Sequence, residues 1–230
     1  MHRKSDKGIV TLSRDVSQSF QACVIGMAHA SSLVRALEVV NISEDQIEEL
    51  KVKCLTSKQF IAAQIPWASA GAERSRRERD TRKVIVGDGS SYSDQQTMEE
   101  RLLADILEVN AELNRAINIC WSFQAYRIGM DNARALLDVT PEGVANRSEC
   151  RKDMLKADCL TSIELITSQI DWVFAGAGRK HLGKDPKGAV VSVGGDAADR
   201  VVNEQPLEER LLTNLLNANE ELNRAINTIY

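Results

Sequence analysis

Aromatic residues are scarce in this chain: Phe, Tyr and Trp together make up 4% of its 230 residues, and there are only four prolines. A β-sandwich normally draws on many aromatic and β-branched residues, so a composition dominated by Leu, Ala, Glu, Arg and Asn points to helices instead. Charge of one sign is also lacking. A net charge of -4 offers no general attraction to nucleic acid or acidic lipid, and nucleic acid is not an expected partner. No apolar run approaches the ~18 residues that a transmembrane segment needs, so none is expected. The opening "MHRKSDKGIVTLSRD" has basic residues but no apolar stretch of the kind a secretory signal carries. Histidine is limited to His2, His29 and His181, with no partner at ligand spacing, which argues against a metal site. The five cysteines form no CxxC pair and are odd in number, as expected of reduced thiols in a cytoplasmic protein. No cofactor is expected.

What the chain does contain is the same text twice. "EERLLADILEVNAELNRAIN" (99–118) and "EERLLTNLLNANEELNRAIN" (208–227) agree at fourteen of twenty positions. "SFQACVIGMAHA" (19–30) matches "SFQAYRIGMDNA" (122–133), and "CLTSKQFIAAQIPWASAGA" (54–72) matches "CLTSIELITSQIDWVFAGA" (159–177). The offsets are 103, 105 and 109, as small loop insertions would produce. Three blocks in one order mean a tandem duplication.

Each block has helical periodicity. Leu102, Ile106, Val109, Leu113, Ala116 and Cys120 step by threes and fours, as do Leu211, Leu215, Ala218, Leu222, Ala225 and Ile229. Leu155, Cys159, Ser162, Ile166, Ile170 and Val173 form the second-block stripe, and Phe123, Met130, Ala133 and Leu137 share a face in the first. Ser43 with Gln46, and Thr97 with Glu100, read as capping boxes, with Ile42 and Ile47 as a hydrophobic staple. Thr140-Pro141 and Gln205-Pro206 suit helix starts, and Gly71 and Gly176 suit helix ends. The expected fold is all-α: an N-terminal tail (1–18) and two tandem three-helix bundles, 19–120 and 121–230. Between 99 and 139 there is no proline and only Gly129, so one continuous helix could join the bundles, or a kink near 120–122 could separate them. The stretches 73–96 and 178–205 are polar and read as loops. Arginines in 74–82 are interleaved with Glu73, Glu78 and Asp80, the pattern of a solvated segment, with an anionic-surface role the lesser alternative.

A helix turns about 100° per residue. Measured from Leu211, the buried stripe stays within about 40°, whereas Leu212 and Leu216 fall near about 100° and 140°. Leu103 and Leu107 repeat this in the first unit. Such leucines either fill a wide core or contacts between units, or they form an apolar docking strip. Catalysis is not expected: His29 is matched by Asn132, and it shares no helical face with Cys23.

"EERLLTNLLNANEELNRAINTIY" resembles the third helix of GAT domains, found in the GGA and Target of Myb sorting adaptors. "LKADCLTSIELITSQI" and "DNARALLDV" are similar to the second and first helices of that family. The resemblance implies three-helix bundles that bind ubiquitin or other trafficking proteins, in a cytoplasmic adaptor peripheral to endosomal or Golgi membranes. Carried over, the partner-binding residues are Leu212, Leu216 and Glu220 in the second unit. In the first they are Leu103 and Leu107, with Ala111 at the acidic position and Glu112 beside it. The alternative is a structural scaffold whose spare leucines drive self-association or pack the units together.

Overall fold

The computed structural model describes residues 6–38, 42–86, 96–138, 145–182 and 206–228. Five helices account for almost all of them: α1 (Asp6–Glu38), α2 (Glu44–Val86), α3 (Met98–Leu137), α4 (Ala145–Leu182) and α5 (Leu207–Thr228). There is no strand among the described residues. The chain divides into two compact units, Met1–Cys120 and Trp121–Tyr230. α3 runs as one helix through the division.

Local chemistry explains the helix starts. Ser43 N–H donates to Gln46 Oε1 at 3.2 Å and Gln46 N–H to Ser43 Oγ at 3.3 Å, while Ile47 is buried behind the cap. Thr97 and Glu100 reciprocate in the same way at 3.0 and 3.3 Å. Each box satisfies amide donors that the first helical turn leaves unpaired. At α5 the Pro206 carbonyl takes that place, accepting from Glu209 and Arg210. Thr140-Pro141 lies outside the described residues.

The duplication is preserved in side-chain detail. Ser19 Oγ donates to Gln64 Oε1 at 3.1 Å, and the matching Ser122 Oγ to Gln169 Oε1 at 3.0 Å. His29 Nδ1 lies 2.8 Å from Ser57 Oγ, and Asn132 Nδ2 makes the same bond to Ser162 Oγ at 2.9 Å. A Cβ added at Gly26 would stand 2.8 Å from Val109 and 3.3 Å from Leu113, with Ile61 next; at Gly129 the neighbours are Ile166, Leu222 and Ala218. Those are the same positions in the two copies. α1, α2 and the first part of α3 meet at Gly26, and the rest of α3, α4 and α5 meet at Gly129.

This close approach corrects the first-block stripe. Phe123 and Met130 are half-buried and Leu137 is exposed, whereas Ser122, Ala125, Gly129, Ala133 and Leu136 are buried. Small residues face the neighbouring helices because only they let the backbones come this near; larger side chains flank the seam. The third-block stripes hold as expected, from Leu102 to Cys120 and from Leu211 to Ala225, with Ile229 outside the described residues.

Three boundaries differ from expectation. α1 starts at Asp6, so most of the presumed tail is helical. α2 runs to Val86 and α4 to Leu182, so 73–86 and 178–182 are helix rather than loop, and Gly71 and Gly176 lie inside helices rather than capping them. In α2 the reason is ionic. Arg76 and Arg79 both bond the Glu100 carboxylate, and Arg77 bonds Glu73 one turn back, which draws the charged turns into register with α3. By length and composition Val16–Glu38 would suffice to cross a membrane; in the fold this stretch buries Ser19, Cys23, Ala30, Leu33 and Leu37.

Candidate functional site: the leucine flanks of α3 and α5

The structure leaves part of each spare-leucine pair in solvent. Leu107 is 47% exposed and Leu216 50% exposed, at equivalent positions. Leu103 and Leu212 are half-buried, because at about 100° from the core stripe they sit on its shoulder. Each strip is therefore one protruding leucine with a second forming its inner wall. Asn110 and Asn219, near about 80°, close the shoulder, and their side-chain carbonyl oxygens are buried with no partner among the described residues.

The acidic residues separate the two copies. Glu220, near about 180°, continues the second strip and is exposed; Arg224 approaches it at 3.5 Å but pairs more closely with Glu221, at 2.6 Å. Glu112 does not join the first strip. It lies about 140° round the helix from Leu107 and pairs with Arg115 at 3.2 Å, as Glu221 does with Arg224. Adjacency in sequence put Glu112 beside the acidic position, but one step along a helix is more than a quarter of a turn. The structure brings together Leu103 and Leu107 in one unit, and Leu212, Leu216 and Glu220 in the other.

Glu100 marks which side of the first unit the strip faces. Seven residues before Leu107, it shares that residue's azimuth to within about 20°. It accepts from Arg76 Nε at 3.0 Å and from Arg79, both on α2. The strip is thus on the flank of α3 turned towards α2. The Thr97 amide, followed by Arg79 and Arg76, holds the Glu100 carboxyl well below its ordinary 4.5, at about 2.

Two other surfaces escaped the sequence reading. Ile25 and Phe60, and their counterparts Ile128 and Leu165, are all exposed. In each unit the pair lies between the two serine-centred cross-helix bonds, on the groove between the unit's first two helices. Aligning the off-stripe apolar positions of the first two blocks, as for the leucines, would have revealed them. The second surface is a cleft of about 740 Å³ at one end of the first unit. Phe20, Trp67, Met98 and Leu102 line it, with Arg74 and Glu78 at the rim. Trp67 is half-buried and lines this cleft.

Burial raises the Cys54 and Cys120 thiols to about 11, so both stay protonated and unreactive at neutral pH, as core residues. Among the described residues, no group of three or more His, Cys, Asp or Glu side chains is disposed to hold a metal ion. No family model, curated protein or solved structure matches the chain.

Proposed function

We propose that the protein is a non-catalytic adaptor built from two GAT-like three-helix bundles, and that it binds ubiquitin or ubiquitinated cargo through the α5 flank. The observation that carries this reading is the exposure of Leu107 and Leu216 at equivalent places on repeated helices. A core demand would have buried both. Seating each protruding leucine against a partner removes its remaining apolar surface from water, and Glu220 supplies an acceptor for a basic side chain. Against association costs of at least ~4 kcal/mol, so small a strip gives a dissociation constant of ~10–1000 μM, suited to reversible cargo capture.

The exchange of His29 for Asn132 supports a non-catalytic role. Both make the same bond to a serine, and an amide cannot serve as a general base, so the serine–histidine contact reads as packing. The family resemblance also carries the cytoplasmic, endosome- or Golgi-associated setting of the proposal.

Titration of the full chain with mono- and polyubiquitin tests the reading. Leu212→Ala/Leu216→Ala should weaken binding roughly tenfold or more, and Glu220→Gln by less. Binding unchanged in the double variant would remove the site. Light scattering at rising concentration addresses the scaffold alternative, since an adaptor with free strips stays monomeric.

A further inference from the structure

The two leucine flanks are copies of one another, yet their charged neighbours differ in sign. The second flank ends in exposed Glu220, while the first has Ala111 there; the adjacent Glu112 is turned away and paired, and exposed Glu108 lies about 100° round the helix from Leu107. At the opposite, N-terminal end of the first flank, α2 delivers a guanidinium. Arg76 donates Nε to Glu100 Oε1 at 3.0 Å while 67% of its side chain remains exposed. Its terminal amino groups have no partner among the described residues. Arg79 bonds the other carboxylate oxygen, and Glu100 is itself buried between them.

This arrangement is unusual for an exposed arginine. Most surface arginines lose rotamer freedom when they bind, whereas a guanidinium already held by a buried, doubly bonded carboxylate is oriented in advance. Its open edge presents two parallel donors, the geometry that a carboxylate accepts. The apolar strip begins one turn away. Leu103 lies about 4.5 Å and Leu107 about 10.5 Å along the axis from Glu100.

We infer that the first flank docks an acidic amphipathic segment of a partner protein: its apolar side chains seat on Leu103 and Leu107, and an Asp or Glu takes the open edge of Arg76. A basic segment is disfavoured at this end of the strip because the charge that α2 sets beside it is positive. The duplicated helices thus serve partners of opposite charge. The inference rests on the flanks being docking surfaces, and it does not require ubiquitin to be the ligand of the second.

The test uses two fluorescein-labelled synthetic helical peptides with identical apolar residues, flanked by Glu in one and by Lys in the other. Anisotropy is read with the full chain and with Arg76→Gln, Arg76→Lys, Leu107→Ala and Leu216→Ala. In Leu216→Ala, where the second flank is disabled, the Glu peptide should bind more tightly than the Lys peptide. Arg76→Gln and Leu107→Ala should each weaken the Glu peptide roughly fivefold or more, and Arg76→Lys should recover only part of the loss. Leu216→Ala should leave it unchanged. No binding of the Glu peptide, indifference to Arg76→Gln, or equal loss in Leu216→Ala overturns the inference. Ubiquitin titrated on the same variants separates the two proposals. Ubiquitin binding that fails while the Glu peptide still depends on Arg76 and Leu107 sinks only the ubiquitin reading, and the reverse sinks only this one.

Discussion

Gly26, Gly71 and Gly129 lie inside long helices, and the structure assigns them different tasks that alanine substitution should expose. Alanine is favoured over glycine in a helix interior by about 1 kcal/mol, so each replacement starts from a gain. At Gly71 the new Cβ would stand 3.6 Å from Glu99 Cγ and 3.7 Å from its Cβ, which is ordinary contact. Gly71→Ala should therefore stabilise the protein by roughly 0.5–1 kcal/mol, raising Tm by about 1–4 °C. At Gly26 the Cβ would meet Val109 Cγ1 at 2.8 Å and Leu113 Cδ1 at 3.3 Å. Valine in a helix has one strongly favoured rotamer and cannot swing aside, so the helices must separate. Overpacking costs about 1–3 kcal/mol, leaving Gly26→Ala neutral to about 2 kcal/mol less stable than wild type. At Gly129 the nearest atom is the flexible tip of Ile166, 2.7 Å away, and the position matching Val109 is Ala218. The cost there should be smaller. The order of stability in urea unfolding should be Gly71→Ala, then Gly129→Ala, then Gly26→Ala. Adding Val109→Ala to Gly26→Ala should recover roughly 1 kcal/mol beyond additivity. If Gly26→Ala proved as stable as Gly71→Ala, close helix contact at Gly26 would not be what selects glycine there.

Other outcomes follow from single contacts. Glu100 has a depressed folded-state pKa, so its contribution to stability is present above about 4.5 and is lost as pH falls towards about 2. In Glu100→Gln the acid limb of a thermal-melt pH profile should flatten over that window, and an unchanged slope would contradict the pairing. The buried thiols carry the opposite sign: their stabilisation is complete below about 9 and fades as pH rises to about 11, where the unfolded chain ionises first. In native protein at neutral pH, mass spectrometry after brief iodoacetamide treatment should find Cys150 modified, with Cys23, Cys54, Cys120 and Cys159 protected. His29→Asn, which installs the second unit's residue, should change stability by less than about 0.5 kcal/mol. His29→Leu should cost about 1 kcal/mol by stranding Ser57; equal effects would mean the bond is immaterial.

Sequence alone determined the duplication, the helical class, the two capping boxes and the third-block core. Each depends on local chemistry or on a periodicity that repeats within one segment. A serine three residues before a glutamine caps a helix wherever that helix lies, and a leucine every three or four residues marks a stripe whatever covers it. The spare leucines were legible in the same way, as residues off that stripe.

Only the tertiary structure decided how much of each leucine remains in water and that α2 persists through its arginines. It also decided that small residues rather than Phe123 and Leu137 face the seam at Gly129. All three depend on what stands opposite: Glu100 on another helix pairs with Arg76 and Arg79, and Ile166 and Leu222 fill the space beside Gly129. Periodicity identifies the faces of a helix, but contacts between residues far apart in the chain determine which face is covered and what charge lies beside the uncovered one.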